Sequence, residues 1–290
     1  MNVAYFPGCS LHGMAKEYDI SARLVCKHLG ITLQEVEDWN CCGATAAHSM
    51  NHLLAVSLSA RNLGQVRGMN LNQITTPCAG CFSRLKTASY EMRNNPTIAA
   101  QVESIIESPA PVEPEVSSLL QFLIEQIGLD EIKQKVTRSL KGLKVAAYYG
   151  CLLTRPRQIT GFDDADQPVS LDEIMKALGA ETVAWGHKAE CCGGGYAASQ
   201  TSIVMDLGGQ ILHSAHQAGA EAIVVACPMC QANLDTRQDA IGITQKNDHK
   251  MPIIYFTQLM GVAFGIQPAQ LGMKRLLTSP MPLLRSKGLI

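Results

Sequence analysis

A chain of 290 residues, 47% of them hydrophobic, has enough apolar mass for two cores, since single domains commonly run about 100 to 200 residues. Its 24 basic against 25 acidic residues leave a formal charge of -1, which removes any general electrostatic reason to bind nucleic acid or anionic lipid. No apolar run approaches the ~18 residues that cross a bilayer, and the chain opens on a strand-like segment instead of a secretion signal. In a chain expected on these grounds to be cytoplasmic, eleven cysteines point to metal or redox chemistry over structural disulfides.

In chain order, Val3-Ala4-Tyr5-Phe6 is a short apolar run ending on Pro7-Gly8-Cys9, the pattern of a buried parallel strand opening into a turn at its carboxyl end. Glu17 to Leu29, with Ile20, Leu24 and Leu29 apolar and Gly30 as the stop, predicts a helix that carries Cys26. Thr32 to Trp39 reads as a second strand delivering Cys41-Cys42, and Thr45 to Arg67 as a helix burying Leu53, Leu54, Leu58 and Leu63. Gln73 to Thr76 is a third strand running into Pro77-Cys78, with helix from Phe82 to Met92. Residues 108 to 116 read as a linker, and Ser117 to Gly128 as an amphipathic helix of the first domain.

The plan then repeats. Strand Lys144 to Tyr149 leads to Cys151, helix Leu171 to Leu178 to strand Thr182 to Trp185, and these to Cys191-Cys192. Helix Ser202 to Ala218 precedes strand Ala222 to Ala226 and Cys227, and the half closes on Ile253 to Phe256 and a helix from Thr257 to Phe264. The expected domains are therefore residues 1–141 and 142–290. The fold class is α/β: two similar tandem domains, each a small parallel sheet flanked by helices, related by pseudo-twofold symmetry. The apolar tail from Gln270 to Ile290 packs on this chain or on a partner, and Pro280 to Leu284 is its candidate docking segment.

The repeat is written in its cysteines. Cys9, Cys41-Cys42 and Cys78-x-x-Cys81 recur as Cys151, Cys191-Cys192 and Cys227-x-x-Cys230, with offsets of 142, 150 and 149, and Gly43 and Gly193 follow the two vicinal pairs. In an open parallel sheet, ligands bind beyond the carboxyl ends of the strands, so three strand tips bring five thiols of each set within reach of one object. A structural zinc takes four ligands and leaves one thiol over. A thioredoxin-like dithiol accounts for Cys227-Pro228-Met229-Cys230 but leaves three of the five unexplained. Thiolates also hold iron-sulfur clusters, ordinarily four to a cubane, so a fifth points to one that bridges or opens the core.

Cys-x31-Cys-Cys-x35-Cys-x-x-Cys and Cys-x39-Cys-Cys-x34-Cys-x-x-Cys, each with Gly after the vicinal pair, resemble the tandem CCG modules of the heterodisulfide reductase B-subunit family across nearly the whole chain. The resemblance implies that each set holds a noncubane [4Fe-4S] cluster and that the two clusters face each other around a small-molecule disulfide. In methanogens the family's substrate is the mixed disulfide of coenzyme M and coenzyme B. It also implies work beside two partners in a heterodisulfide reductase-type complex, a small ferredoxin-like subunit and a flavin-containing subunit behind it. The alternative of another class is a noncatalytic electron-relay subunit of a larger dehydrogenase.

On this reading Cys9, Cys41, Cys42, Cys78, Cys81, Cys151, Cys191, Cys192, Cys227 and Cys230 are ligands, and Cys9, Cys41, Cys42, Cys151, Cys191 and Cys192 are also catalytic. Among charged neighbours of the ligands (His12, Lys16, His48, Arg155, Arg157, His187, Lys188), His12, His187 and Lys188 are the candidates for anchoring a substrate or delivering a proton. Cys26 stands outside both sets as a small core or surface residue.

There is no Gly-x-Gly-x-x-Gly turn for a dinucleotide and no Cys-x2-Cys-x2-Cys-x3-Cys-Pro run for a conventional relay cluster. The purified, cluster-loaded chain should therefore accept electrons from reduced viologens and not from NADH or NADPH. Steady turnover with NADH in the absence of any other subunit would reveal a cofactor site that the sequence conceals.

Overall fold

The computed structural model describes residues 1–44, 47–107, 114–245 and 250–290. Most of the expected linker, residues 108–113, lies outside the described residues.

Four parallel strands form the first sheet: β1 (Asn2–Tyr5), β2 (Thr32–Glu35), β3 (Gln73–Thr76) and β4 (Glu115–Ser118), in the order β2-β1-β3-β4. The second sheet repeats it with β5 (Lys144–Tyr148), β6 (Glu181–Thr182), β7 (Ala222–Val225) and β8 (Ile253–Tyr255), in the order β6-β5-β7-β8 and again parallel throughout. The central strands are apolar on both faces, as helices on both sides require: every residue of β7 and all but the first of β5 are buried. In each sheet the strand order reverses between the two central strands, and their tips carry Cys9 and Cys78, or Cys151 and Cys227. That reversal is where an open α/β sheet leaves a crevice.

Several elements differ from the sequence expectation. β2 ends at Glu35 and β6 is only two residues long, so Trp39 and Trp185 lie beyond the strands. The Trp185 indole N–H instead donates to the Ala147 carbonyl across β5, at 3.2 Å. Ser117 and Ser118, expected in a helix, pair with Thr75 and Thr76 as the end of β4. Ser118 then caps the helix Leu119–Phe122 by accepting from the Gln121 N–H at 3.1 Å. A further helix at Pro96–Ile106, beyond those the sequence pattern predicts, starts under an Asn95 cap with proline in its first turn.

One continuous hydrophobic cluster runs through both sheets, so the halves share a core. The seam is made by the helix Lys16–His28, whose fully buried Tyr18 stacks on Tyr255 with ring centroids 4.1 Å apart. The Tyr18 hydroxyl donates to the Ala226 carbonyl at 3.2 Å, and Ser21 and Thr257 share a hydroxyl contact of 2.7 Å. Residues just ahead of the expected boundary also lean on the second half: the backbone N–H groups of Thr137 and Arg138 both donate to the Ala263 carbonyl at 2.9 Å.

The apolar tail packs on its own chain. Leu271, Met273, Leu284 and Leu289 are buried in the shared core, and Asp235 accepts the N–H groups of Leu277 and Thr278 at 2.8 and 2.9 Å. The expected docking segment is thus largely spent: Pro280 and Leu284 are buried, while Pro282 alone of its five residues is exposed. Among the described residues no helix is long and apolar enough to cross a membrane.

Because Leu284 is fully buried and Leu277 is 70% exposed, the two test the tail's role directly. Leu284→Ala should lower unfolding stability by about 2–5 kcal/mol, the range of buried Leu truncations. Leu277→Ala should stay within about 0.5 kcal/mol of the parent in denaturant titrations of the cluster-loaded chain.

Candidate metal centre

Strand tips and helix starts bring the sulfurs together. Cys78 follows β3 and Cys81 lies in the first turn of the helix Ala79–Asn94, with both side chains buried. Cys42 comes in from the loop after β2, its Sγ 3.3 Å from that of Cys81. The second half builds the same contact between Cys192 and Cys230, at 3.6 Å, with Cys230 on the helix Pro228–Asp235. The first cysteine of each vicinal pair is held by the turn: the Gly43 N–H donates to Cys41 Sγ at 3.4 Å and the Gly193 N–H to Cys191 Sγ at 3.3 Å. Both glycines adopt positive φ, 78° and 76°, the conformation that folds the loop back onto its own sulfur.

The thiols share protons in pairs. Cys42 is drawn down to about 4, chiefly by hydrogen bonding from Cys41 and then Cys81, and both of those are pushed up in return. In the second set the hydrogen bond from Cys151 draws Cys191 down to about 6 and pushes Cys151 up. Cys192 is lowered by Cys230 in the same way. The lowering of Cys42 and of Cys191 favours the thiolate, the form that binds metal. Across the seam between the halves Cys227 raises Cys78, while Cys230 and then Cys78 lower Cys227, so the two sets approach each other beside the buried Tyr18 and Tyr255.

Cys9 neighbours Cys41 and Cys151 neighbours Cys191, so all ten repeated cysteines fall into two groups of five. Cys9, Cys41 and Cys191 are exposed and Cys151 half-buried, while the other six are buried, so each group has an open side. Cys26 belongs to neither: it is fully buried in the core and its thiol is pushed up to about 12 by burial.

Five thiols to a set are one more than a tetrahedral zinc takes, whereas cluster iron is held by thiolates of this kind. Space is kept at the centre by glycine: a Cβ on Gly8 would stand 2.8 Å from Cys81 Sγ, and one on Gly150 would stand 2.9 Å from Cys230 Sγ.

The charged candidates are mostly engaged elsewhere. The Lys188 ammonium is buried against Asp172 Oδ2 at 2.9 Å and the Pro168 carbonyl at 2.8 Å, so it braces a loop and is not free to meet a substrate. His12 pairs with Glu35 at 3.0 Å and lies edge-on to Trp39, and Arg155 pairs with Asp166 at 2.8 Å. His187 differs: among the described residues its buried Nδ1 has no hydrogen-bond partner. Sequence reasoning singles out neither Arg84, which acts electrostatically on Cys42, nor Asn233, whose amide donates to Cys192 Sγ at 3.6 Å. Their common spacing, three residues past the last cysteine of each set, is the signal that would have found them.

A family model described as a cysteine-rich (CCG) domain matches residues 3–86 and again 145–235. The 8-methylmenaquinol:fumarate reductase membrane anchor subunit of Wolinella succinogenes is 35% identical over 93% of this chain and 94% of its own length. The B subunit of the ferredoxin/F420H2-dependent CoB-CoM heterodisulfide reductase of Methanosarcina acetivorans is 28% identical over 94% of this chain and 92% of its own length. A protein of Archaeoglobus profundus described as like the heterodisulfide reductase B subunit is 25% identical over 91% of this chain and 90% of its own. In structure, a hypothetical protein from Helicobacter pylori superposes with a TM-score of 0.77 over 96% of this chain, at 12% identity. This chain spans 52% of that one, and the likeness establishes the fold.

Gly8→Ala and Gly150→Ala would each place a methyl group within 3 Å of a buried cysteine sulfur at a φ of +69° or +68°, a conformation costing L residues roughly 1–2 kcal/mol. Each should roughly halve the iron bound per chain, whereas Gly186→Ala, with open space around its Cβ position, should leave iron content unchanged.

Proposed function

Since the chain belongs to the cysteine-rich (CCG) domain family and carries two copies of the module, we propose that it reduces a disulfide to two thiols as the catalytic subunit of a heterodisulfide reductase-like complex. The observation that supports the reading is the seam at which Tyr18 stacks on Tyr255 and donates to the carbonyl of Ala226, next to Cys227, so that one shared core sets the two cysteine sets near each other. Cys9, Cys41, Cys42, Cys78 and Cys81 would hold one noncubane [4Fe-4S] cluster, and Cys151, Cys191, Cys192, Cys227 and Cys230 the other. Clusters of this kind supply one-electron transfer and sites for thiolate sulfur when bound.

Cleaving a disulfide consumes two electrons and two protons, so a matched pair of one-electron centres suits it. The chain's own residues prepare the ground. Gly8 and Gly150 leave room beside the buried sulfurs, Gly43 and Gly193 hold the vicinal cysteines in place, and the exposed Cys9, Cys41 and Cys191 mark the open side. His187, with its unspent ring nitrogen, is the retained candidate for proton delivery, ahead of His12 and Lys188. Electrons would come from a ferredoxin-like subunit, itself served by a flavin-containing one.

One observation favours a second reading. The 35% identical relative is a subunit of a fumarate reductase, a name that carries no disulfide chemistry. On that reading this chain relays electrons within a larger dehydrogenase and its centres are indifferent to thiols.

Anaerobically prepared protein should contain about eight irons per chain, the content of two four-iron clusters. Cys42→Ser and Cys192→Ser should each remove one cluster yet abolish disulfide turnover, while Cys26→Ser leaves both intact. Near-native turnover in either single-cluster variant would remove the paired-cluster mechanism, and cluster spectra unmoved by added thiol would favour the relay.

A further inference from the structure

The two sets are duplicates in their ligands but not in their surroundings. Three residues past the last cysteine of each set, on equivalent helices, stand Arg84 and Asn233. Both address the second cysteine of the vicinal pair. Arg84 is half-buried and lies three residues along the helix from Cys81, whose Sγ is 3.3 Å from that of Cys42, so it brings a positive charge to that pair, whereas the buried Asn233 amide donates to Cys192 Sγ at 3.6 Å and to the Cys192 carbonyl at 3.2 Å without one.

Immediately before the vicinal pairs the contrast runs the same way. Asn40, neutral, donates to the Cys41 and Leu58 carbonyls at 2.9 and 3.0 Å; Glu190 occupies the matching position and sets its negative charge against Cys191. Of the other charges at these loops, Asp38 is paired with Arg61 and Lys188 with Asp172, and Glu37 lies exposed four residues before Cys41.

A third difference lies in the buried hydroxyls. Among the described residues Thr75, Thr76 and Ser83, which bracket Cys78 and Cys81, have side-chain oxygens with no hydrogen-bond partner. The residues at the same spacing from Cys227 and Cys230 are Val224, Val225 and Ala232, which have no hydroxyl to offer.

Positive charge and hydrogen-bond donors beside a cluster favour its reduced, more negative state and raise its potential, while negative charge lowers it. We propose that the two centres are electrochemically unequal: the first set, beside Arg84, has the higher reduction potential and takes the first electron, and the second set, beside Glu190, has the lower. The inference rests on each set holding a cluster, as proposed above. It gives the two-electron reduction an order, since the electron that reaches the pair settles on the first half before the second is filled. Arg84 and Glu190 are positioning residues, acting on the centres through their charge.

The test is a redox titration of the purified, anaerobic full chain, followed by EPR and visible absorption, with iron measured on every variant. Two one-electron waves are expected. Mutual repulsion between two equal centres would also give two waves, and Arg84→Asn separates the cases. Under the proposal it lowers the upper wave and narrows the gap; with equal centres the upper wave stays and the lower one drops, widening it. Arg84→Lys should hold the upper wave in place. Glu190→Gln, at an exposed position that puts folding at no risk, should raise the lower wave and narrow the gap from the other side. Widening in Arg84→Asn, or unmoved waves in both neutralised variants at full iron content, would overturn the inference alone. If Arg84→Asn loses iron, Glu190→Gln decides by the same criterion. A wild-type chain without iron or sulfide would overturn the cluster reading and this inference with it.

Discussion

Everything about this site depends on the seam where the helix Lys16–His28 of the first half is pressed into the second. Tyr18 stacks on Tyr255 and donates to the carbonyl of Ala226, the residue next to Cys227, so an aromatic contact in the core sets where a sulfur-bearing strand tip lies. Aromatic pairs of this kind add to what their buried area already contributes, and a buried phenol needs its hydrogen-bond partner. Loosening that contact would let each sheet keep its five cysteines while losing the relation between them. The C-terminal tail closes the arrangement from outside by tying Asp235, at the end of the helix that begins beside Cys227, to the backbone of Leu277 and Thr278.

Within each half the sulfurs are arranged by economy of backbone. Short parallel strands end in glycine-bearing turns, and helices begin within three residues of the last strand tip, so five thiols reach one region with little side-chain freedom to lose. Within a pair one sulfur is lowered and its neighbour raised. A metal cluster bound there would displace protons, coupling loading to pH and to folding. The missing side chains at Gly8 and Gly150 matter as much as the cysteines, because any Cβ there would press on a buried cysteine sulfur.

The two sets share their cysteines and differ in their neighbours. A residue acting through its charge at one remove can differ between them and alter only the energy of the site. Arg84 against Asn233 and Asn40 against Glu190 are such changes, and both favour electrons on the first half. Membership in the CCG family, with relatives named as subunits of both heterodisulfide and fumarate reductases, places the chain among redox assemblies in which such a bias could be used in more than one way.

The cysteine repeat, the strand tips that bear it, the two-sheet α/β plan and the long helices Lys16–His28 and Thr201–Gln217 were all legible in the sequence. Each rests on a local signal: a five-thiol spacing that no disulfide or single zinc uses fully, short apolar runs ending on glycine, and apolar residues at helical period. What packing decides was not legible. Ser117 and Ser118 have no intrinsic preference for strand, and become one because β3 offers its edge. Lys188, so close to a ligand in sequence, turns its ammonium to a buried carboxylate because an unpaired charge there would cost more than any substrate contact returns. The tail's apolar residues could have served a partner or this chain, and only the shared core, with Gly261 making room for Leu271, settled which. The bond from the Tyr18 hydroxyl to the Ala226 carbonyl lies furthest from the sequence of all, because it joins residues 208 positions apart through a seam that exists only once both sheets have formed.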